Sequence, residues 1–101
     1  MTDVAADPEN AAELRDQVVD TLIRDGVIVS PQVEAAMRRV PRHRFTPEAT
    51  VEEAYRPYAA VVTKKNEHGI SISSVSAPQI QAMMLEQAAI EPGMRVLEIG
   101  S

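Results

Sequence analysis

The sequence contains no cysteine and no tryptophan, and its three aromatic residues are Phe45, Tyr55 and Tyr58. Without cysteine, the chain forms no disulfide and offers no thiolate to a metal ion. Because aromatic rings are so few, the interior has to be filled by aliphatic side chains. Apolar residues make up 45% of the 101 residues, which is enough for one domain with a modest core.

Positive charge is also scarce, since 10 Lys and Arg stand against 15 Asp and Glu, a net charge of −5. This balance argues against a nucleic-acid-binding surface, which needs clustered cations. The basic residues within 38–44 are interpreted as a solvated helix end. His43 and His68 lie too far apart to predict a metal site. With neither a signal peptide nor a membrane-length apolar run, the sequence predicts a soluble, cytoplasmic protein without membrane partners.

Two helices are predicted in the first 40 residues. Apolar side chains recur at helical spacing from Glu9 to Asp25, and Gly26 follows as a C-cap. Ser30 is expected to cap a second helix that has Pro31 at its first position and ends before Pro41. The apolar residues that define the two stripes are Leu14, Val18, Val19, Leu22 and Ile23, then Val33, Met37 and Val40.

The middle of the chain is expected to be irregular over 41–59, with a short helix near 48–55. Residues 60–63 and 70–75 are rich in β-branched side chains and flank a polar stretch, which predicts a β-hairpin. A third helix is predicted to start near Pro78, with Ser76 as its cap. It carries Ile80, Met83, Met84 and Ala88. A turn at 91–93 and a closing strand at 95–99 follow.

Four serines, at positions 71, 73, 74 and 76, precede the third predicted helix. Hydroxyls and free backbone N–H groups at a helix N-terminus can hold a carboxylate. The simpler alternative is that Ser76 caps its own helix while the other serines face water.

The segment Val96-Leu97-Glu98-Ile99-Gly100-Ser101 is typical of a strand that exits into a nucleotide-binding turn. Glycine there lets the backbone approach a ligand closely. The alternative is any buried strand that ends in a turn.

Three stretches, in this order, resemble the protein-L-isoaspartate O-methyltransferases. Residues 40–47 are similar to the family's Val-Pro-Arg-x-x-Phe-x-Pro signature. Residues 74–78, with the helix that follows, are similar to its Thr-Ile-Ser-(Ala/Gln)-Pro helix entry. Residues 92–101 are similar to the opening of its first cofactor motif. The resemblance covers residues 33–101, about the first third to half of a family member.

This resemblance implies an α/β fold, with N-terminal helices and a β-hairpin followed by the first helix and strand of an incomplete Rossmann-like methyltransferase sheet. The expected boundaries are a flexible start at 1–8, a helical and hairpin region at 9–75, and a truncated S-adenosylmethionine-binding domain at 76–101. The implied acceptor is an isoaspartyl or aspartyl carboxylate of a protein or peptide.

The resemblance also implies roles for individual residues. Ser76, helped by Ser74, would hold the carboxylate or the edge of the cofactor, and the two would act as the catalytic pair. The residues expected to bind S-adenosylmethionine are Ser73, Val75, Gln81, Glu98, Gly100 and Ser101, and no metal ligand is implied.

The sequence departs from the family at 55–60, where Tyr-Arg-Pro-Tyr-Ala-Ala replaces Tyr-x-Asp-x-Ala-Leu-Pro. This region contributes to the substrate-side pocket of the family, so the departure bears on the usual substrate. The dense serine run and Gln81 are similar to the FxLD-type relatives that modify ribosomally made peptides. Three hypotheses therefore stand: the N-terminal portion of a carboxyl methyltransferase that is inactive alone, one half of a split enzyme completed by a second chain, or a small helical interaction module.

Overall fold

The computed structural model describes residues 8–99. Both N-terminal helices are confirmed: α1 spans Ala11–Arg24 and α2 spans Pro31–Arg39. As predicted, the Ser30 hydroxyl caps α2 by accepting a hydrogen bond from the Val33 N–H at 3.2 Å. Gly26 follows α1 with φ of +77°, a conformation that costs glycine little because it has no Cβ.

The segment between α2 and the hairpin contains two short helical turns. A 3₁₀ turn spans Arg42–Phe45, and α3 spans Val51–Ala54. The predicted helix at 48–55 is therefore shorter than expected. A capping box sets its start, because Thr50 and Glu53 each bond the other's backbone N–H, at 3.1 and 2.9 Å.

The predicted β-hairpin is confirmed, with β1 at Val61–Lys65 and β2 at Ser71–Val75. The strands are antiparallel, Val61 faces Val75, and the register shifts around Lys64. Asn66 shapes the turn, since its side-chain oxygen accepts from the N–H groups of His68 and Ile70, both at 2.9 Å.

Helix α4, at Pro78–Ala88, confirms the third predicted helix but presents an unexpected face to the core. Ala82 is fully buried, and Leu85 packs against the core. The larger apolar residues expected on this helix, Ile80, Met83 and Met84, are 41%, 39% and 61% exposed. The apolar periodicity predicted the position of the helix but not its buried face. The helix packs against the core through the face that carries Ala82, because this small side chain allows close approach.

The strand predicted at 95–99 is wrong for the described residues. The turn at 91–93 is present, with the Met94 N–H donating to the Glu91 carbonyl at 3.2 Å. Residues 94–99 then continue without regular structure, and Val96, Leu97 and Ile99 are 63%, 84% and 83% exposed. The reason is physical: a strand needs a hydrogen-bonding neighbour, and the two strands within 8–99 pair only with each other.

The core lies between α1, α2, α3 and α4, outside the hairpin. Its buried members are Val18, Val19, Leu22, Ile28, Val33, Ala54, Tyr55 and Ala82. No helix within 8–99 is both long and apolar enough to cross a membrane.

Glu86 of α4 joins this helix to the start of α2. One of its carboxylate oxygens accepts from the N–H groups of Val29 and Ser30, at 2.7 and 2.8 Å. A carboxylate at a helix N-terminus is also favoured by the helix dipole. Both hydrogen bonds hold the pKa of Glu86 below its ordinary value of 4.5.

Replacing Ala89 by glycine should stabilise the protein. Ala89 ends α4 in the left-handed region, with φ of +49°, where a Cβ costs about 1 kcal/mol that glycine avoids. Chemical denaturation should show Ala89→Gly with the higher free energy of unfolding. Ala88→Gly, one residue earlier and helical, is the matched control and should lower it. Equal effects of the two substitutions would contradict the left-handed conformation assigned to Ala89.

Replacing Glu86 by glutamine should change how stability depends on pH. A carboxyl whose pKa is depressed by folding stabilises the folded state above its unfolded pKa, and this stabilisation is lost as pH falls through the folded pKa. Wild type should therefore be more stable than Glu86→Gln at neutral pH, and the difference should shrink below about pH 4.5. Denaturant unfolding from pH 7 to pH 3 measures this. The exposed Glu48→Gln serves as the control, and parallel curves for wild type and Glu86→Gln would refute the prediction.

Candidate functional site

The serine segment lies at the surface, on β2 and in the turn that leads to α4. Ser73, Ser74 and Ser76 are exposed, and Val75 between them is half-buried. Pairing with β1 holds the start of the segment, with Ser74 opposite Val62. The end of the segment is held by the two residues that follow it, Ala77 and Pro78, because both are buried. The hydroxyls are therefore accessible to a ligand, but on a backbone anchored at both ends.

The structure corrects the expectation that Ser76 caps α4. The N-cap residue is Ala77, and no side chain caps the helix. The N–H of Gln79 donates to the Pro57 carbonyl at 2.9 Å, and Pro78 has no N–H to donate. Few backbone donors of the first turn are left for an anion, so the serine hydroxyls would have to provide most of the hydrogen bonds.

Gln81 of the first turn of α4 contacts Arg42. Its side-chain oxygen accepts from Arg42 Nη1 at 2.8 Å, and Arg42 Nε donates to the Ala54 carbonyl at 2.6 Å. Arg42 as a whole residue is only 9% exposed, and burial lowers its pKa. The interpretation of 38–44 as a solvated helix end is thus wrong at Arg42.

Arg38, in the same basic run, is neutralised by acidic neighbours. It contacts Asp16, Asp20 and Glu34 at 3.1, 2.7 and 3.0 Å. This network links α1 to α2 and leaves Arg38 poorly suited to hold phosphate.

Tyr55 connects the 3₁₀ turn to α1 next to Arg42. Its hydroxyl lies 2.8 Å from His43 Nδ1 and accepts from Arg15 Nη1 at 3.3 Å. Arg15 can only donate, so the hydroxyl is the acceptor of that bond, and the direction of its bond with His43 Nδ1 is set by the imidazole tautomer. A cleft of about 60 Å³ borders this network and is lined by Tyr55, Arg42 and Gln81 among others.

Of the predicted cofactor residues near the C-terminus, the structure describes Glu98, which makes no hydrogen bond or ion pair with another residue within 8–99. Glu98 is exposed within the irregular segment 94–99. Gly100 and Ser101 lie outside the described residues. A larger cleft, of about 290 Å³, is lined by residues of α2 and the end of α4, and none of the predicted site residues within 8–99 contributes to it.

Arg42 is the residue that sequence reasoning missed. A charged residue within a basic run is usually solvated, and its two acceptors lie 12 and 39 positions further along the chain. The one available signal was its place directly after the helix-ending Pro41, where the chain turns back toward the core.

Comparison with known proteins gives a consistent result. The family model "Protein-L-isoaspartate(D-aspartate) O-methyltransferase (PCMT)" matches residues 13–101. The chain is 40% identical over 95 residues to the protein-L-isoaspartate O-methyltransferase of Hyperthermus butylicus, covering 94% of this chain and 36% of that protein.

Two further proteins of the same name are similarly related. The chain is 38% identical to the one from Methanothermobacter thermautotrophicus over 87 residues, 86% of this chain and 37% of the relative. It is 38% identical to the one from Methylorubrum extorquens over 90 residues, 89% and 36% respectively. The chain therefore spans little more than a third of the length of the curated relatives that it matches.

Replacing Tyr55 by phenylalanine should destabilise the fold, because it removes a buried hydroxyl that bonds both Arg15 and His43. The expected loss is about 1–2 kcal/mol in the free energy of unfolding, measured by denaturant titration. Tyr58→Phe is the matched control, since that tyrosine is 54% exposed and its hydroxyl bonds Asp25 at the surface. A loss no larger than that of the control would show that the Tyr55 hydroxyl contributes little.

Proposed function

Since the chain belongs to the protein-L-isoaspartate(D-aspartate) O-methyltransferase family, we propose that it provides the N-terminal part of a cytoplasmic carboxyl O-methyltransferase. The methyl donor is S-adenosylmethionine, and the acceptor is an isoaspartyl or aspartyl carboxylate of a protein or peptide. The observation that carries this proposal is the exposed serine segment on an anchored backbone at the entry to α4.

The residues of the segment suit an anionic acceptor. A carboxyl group is ionised at neutral pH, so no general base is needed to create the nucleophile. Ser74 and Ser76 can donate hydrogen bonds to one carboxylate oxygen and leave the other directed at the methyl group. Catalysis then consists mostly of alignment, which by itself lowers the barrier substantially.

S-adenosylmethionine, when bound, supplies a sulfonium methyl group whose C–S bond breaks as the new C–O bond forms. The chain's donor set fits such a ligand in part. Ser73 and Gln81 flank residues 74–76 (the serine turn), and Val75 lies within it. The carboxylate of Glu98 suits a cationic group. We assign Gly100 and Ser101 to the same site because the glycine would permit close approach of backbone to ligand.

Residues 94–99 are proposed to act only after their apolar side chains are covered. Val96, Leu97 and Ile99 are largely exposed, and an apolar segment of this kind becomes a buried strand when neighbouring strands pair with it in an open α/β sheet. On this basis the chain by itself is expected to have no methyltransferase activity. A second chain that completes the sheet is the alternative to covalent continuation.

The acceptor is proposed to be an isoaspartyl or aspartyl side chain, in a damaged protein or in a dedicated peptide as for the FxLD-type relatives. The segment 55–60 bears on this choice. Arg56 and Tyr58 are exposed there, next to the Pro57 carbonyl that holds α4, so they are available to contact an acceptor.

A chimera tests the proposal directly. Residues 1–101 would replace the matching part of the Hyperthermus butylicus relative, and methyl transfer to an isoaspartyl peptide would be measured with labelled S-adenosylmethionine. The chimera is expected to be active. Ser76→Ala should lower its kcat/KM about ten- to a hundredfold, since a hydrogen bond to a charged group is lost.

Ser71→Ala is the matched control, because Ser71 is also exposed but lies at the start of β2, away from the turn. It should leave the rate unchanged. Residues 1–101 alone, not joined to the relative, should show no saturable binding of S-adenosylmethionine by calorimetry. An inactive but folded chimera would overturn the proposed function, and an unaffected Ser76→Ala would remove Ser76 from the site.

A further inference from the structure

Arg42 is a buried cation whose hydrogen bonds go to neutral acceptors. Its side chain contacts the Ala54 carbonyl and the Gln81 amide oxygen, and Nη2 is buried without a hydrogen-bond partner among the described residues. Burying a charge without an opposite charge is unfavourable, and an unsatisfied buried donor adds to this cost. The presence of an arginine at this position is therefore poorly explained by its contribution to the stability of the fold.

The two acceptors belong to α3 and to α4, the helix that follows the serine turn. Ala54 ends α3, and Gln81 lies in the first turn of α4, five residues after Ser76. One residue beyond the buried Pro78, the Gln79 N–H is held by the Pro57 carbonyl. The first turn of α4 is thus attached twice to 42–57, once through Arg42 and once through Pro57.

We propose that Arg42 is a positioning residue for the serine turn. By holding Gln81 against the end of α3, it sets the place of the first turn of α4, and with it the direction in which Ser74 and Ser76 present their hydroxyls. This inference rests on the proposed function, since it concerns the same turn. Arginine suits the task because its planar guanidinium reaches two acceptors at fixed angles, whereas lysine offers a single point charge.

The test uses the whole chain, labelled with ¹⁵N, and needs no methyl transfer. Amide chemical shifts and hydrogen exchange are compared for wild type, Arg42→Lys and Gln81→Leu, with global stability measured by denaturant. In both variants the Gln79 amide should exchange about tenfold faster or more, because one of two attachments is lost. Shifts should concentrate at Val75 to Gln81, while the Val19 and Leu22 amides of α1 change only in step with global stability.

Rescue separates positioning from a purely structural role. Gln81→Glu added to Arg42→Lys gives the lysine an anionic partner and should return part of the protection at Gln79. Arg38→Lys is the matched control, because among residues 8–99 the Arg38 guanidinium forms ion pairs only with residues of α1 and α2, and it should leave the serine turn unchanged.

Two outcomes would overturn the inference. In one, exchange rises uniformly along the chain in proportion to the lost stability, which assigns Arg42 a structural role only. In the other, the signals of Val75 to Gln81 match those of wild type in both variants. If Arg42→Lys fails to fold, Gln81→Leu decides, since it removes one contact and leaves the arginine in place. Neither result depends on the activity of the chimera, so the proposed function stands or falls separately.

Discussion

A buried guanidinium that bonds two neutral oxygens holds together the segments around the candidate site. Arg42 lies in the 3₁₀ turn after α2, and its acceptors lie in α3 and α4. The apolar core explains why the four helices pack, but non-directional apolar contact does not determine how the first turn of α4 is oriented. Directional hydrogen bonds determine that orientation, and the exposed serine turn follows it.

Burial is uneven along the chain, and this unevenness matters for function. The helices bury one compact aliphatic cluster, in which Val19 and Leu22 are fully inaccessible. The hairpin and residues 94–99 keep apolar side chains at the surface, among them Ile72 and Leu97. The proposed function accounts for this unevenness, since the serine segment belongs partly to β2 and residues 94–99 are the segment proposed to be covered by completing strands.

Local signals allowed most elements to be predicted. Ser30 and Pro31 start α2 because a hydroxyl acceptor and a fixed φ are favourable at those two positions whatever the rest of the fold does. The β-branched runs and the polar turn between them predicted the hairpin for the same reason. At α4, local periodicity failed to choose the buried face, because Ala82 rather than Met83 or Met84 meets the core. Such a choice depends on the space left by other helices.

The sequence by itself determined where the helices and hairpin lie, the resemblance to the methyltransferase family and the serine-rich entry to α4. Each depends on residues that are close in the chain or on a motif in a fixed order. Only the tertiary structure decided that Arg42 is buried, that Gln81 is its partner and that the Pro57 carbonyl, rather than the Ser76 hydroxyl, accepts a hydrogen bond from the first turn of α4. These contacts join residues up to 39 positions apart, and their geometry exists only once the helices have packed.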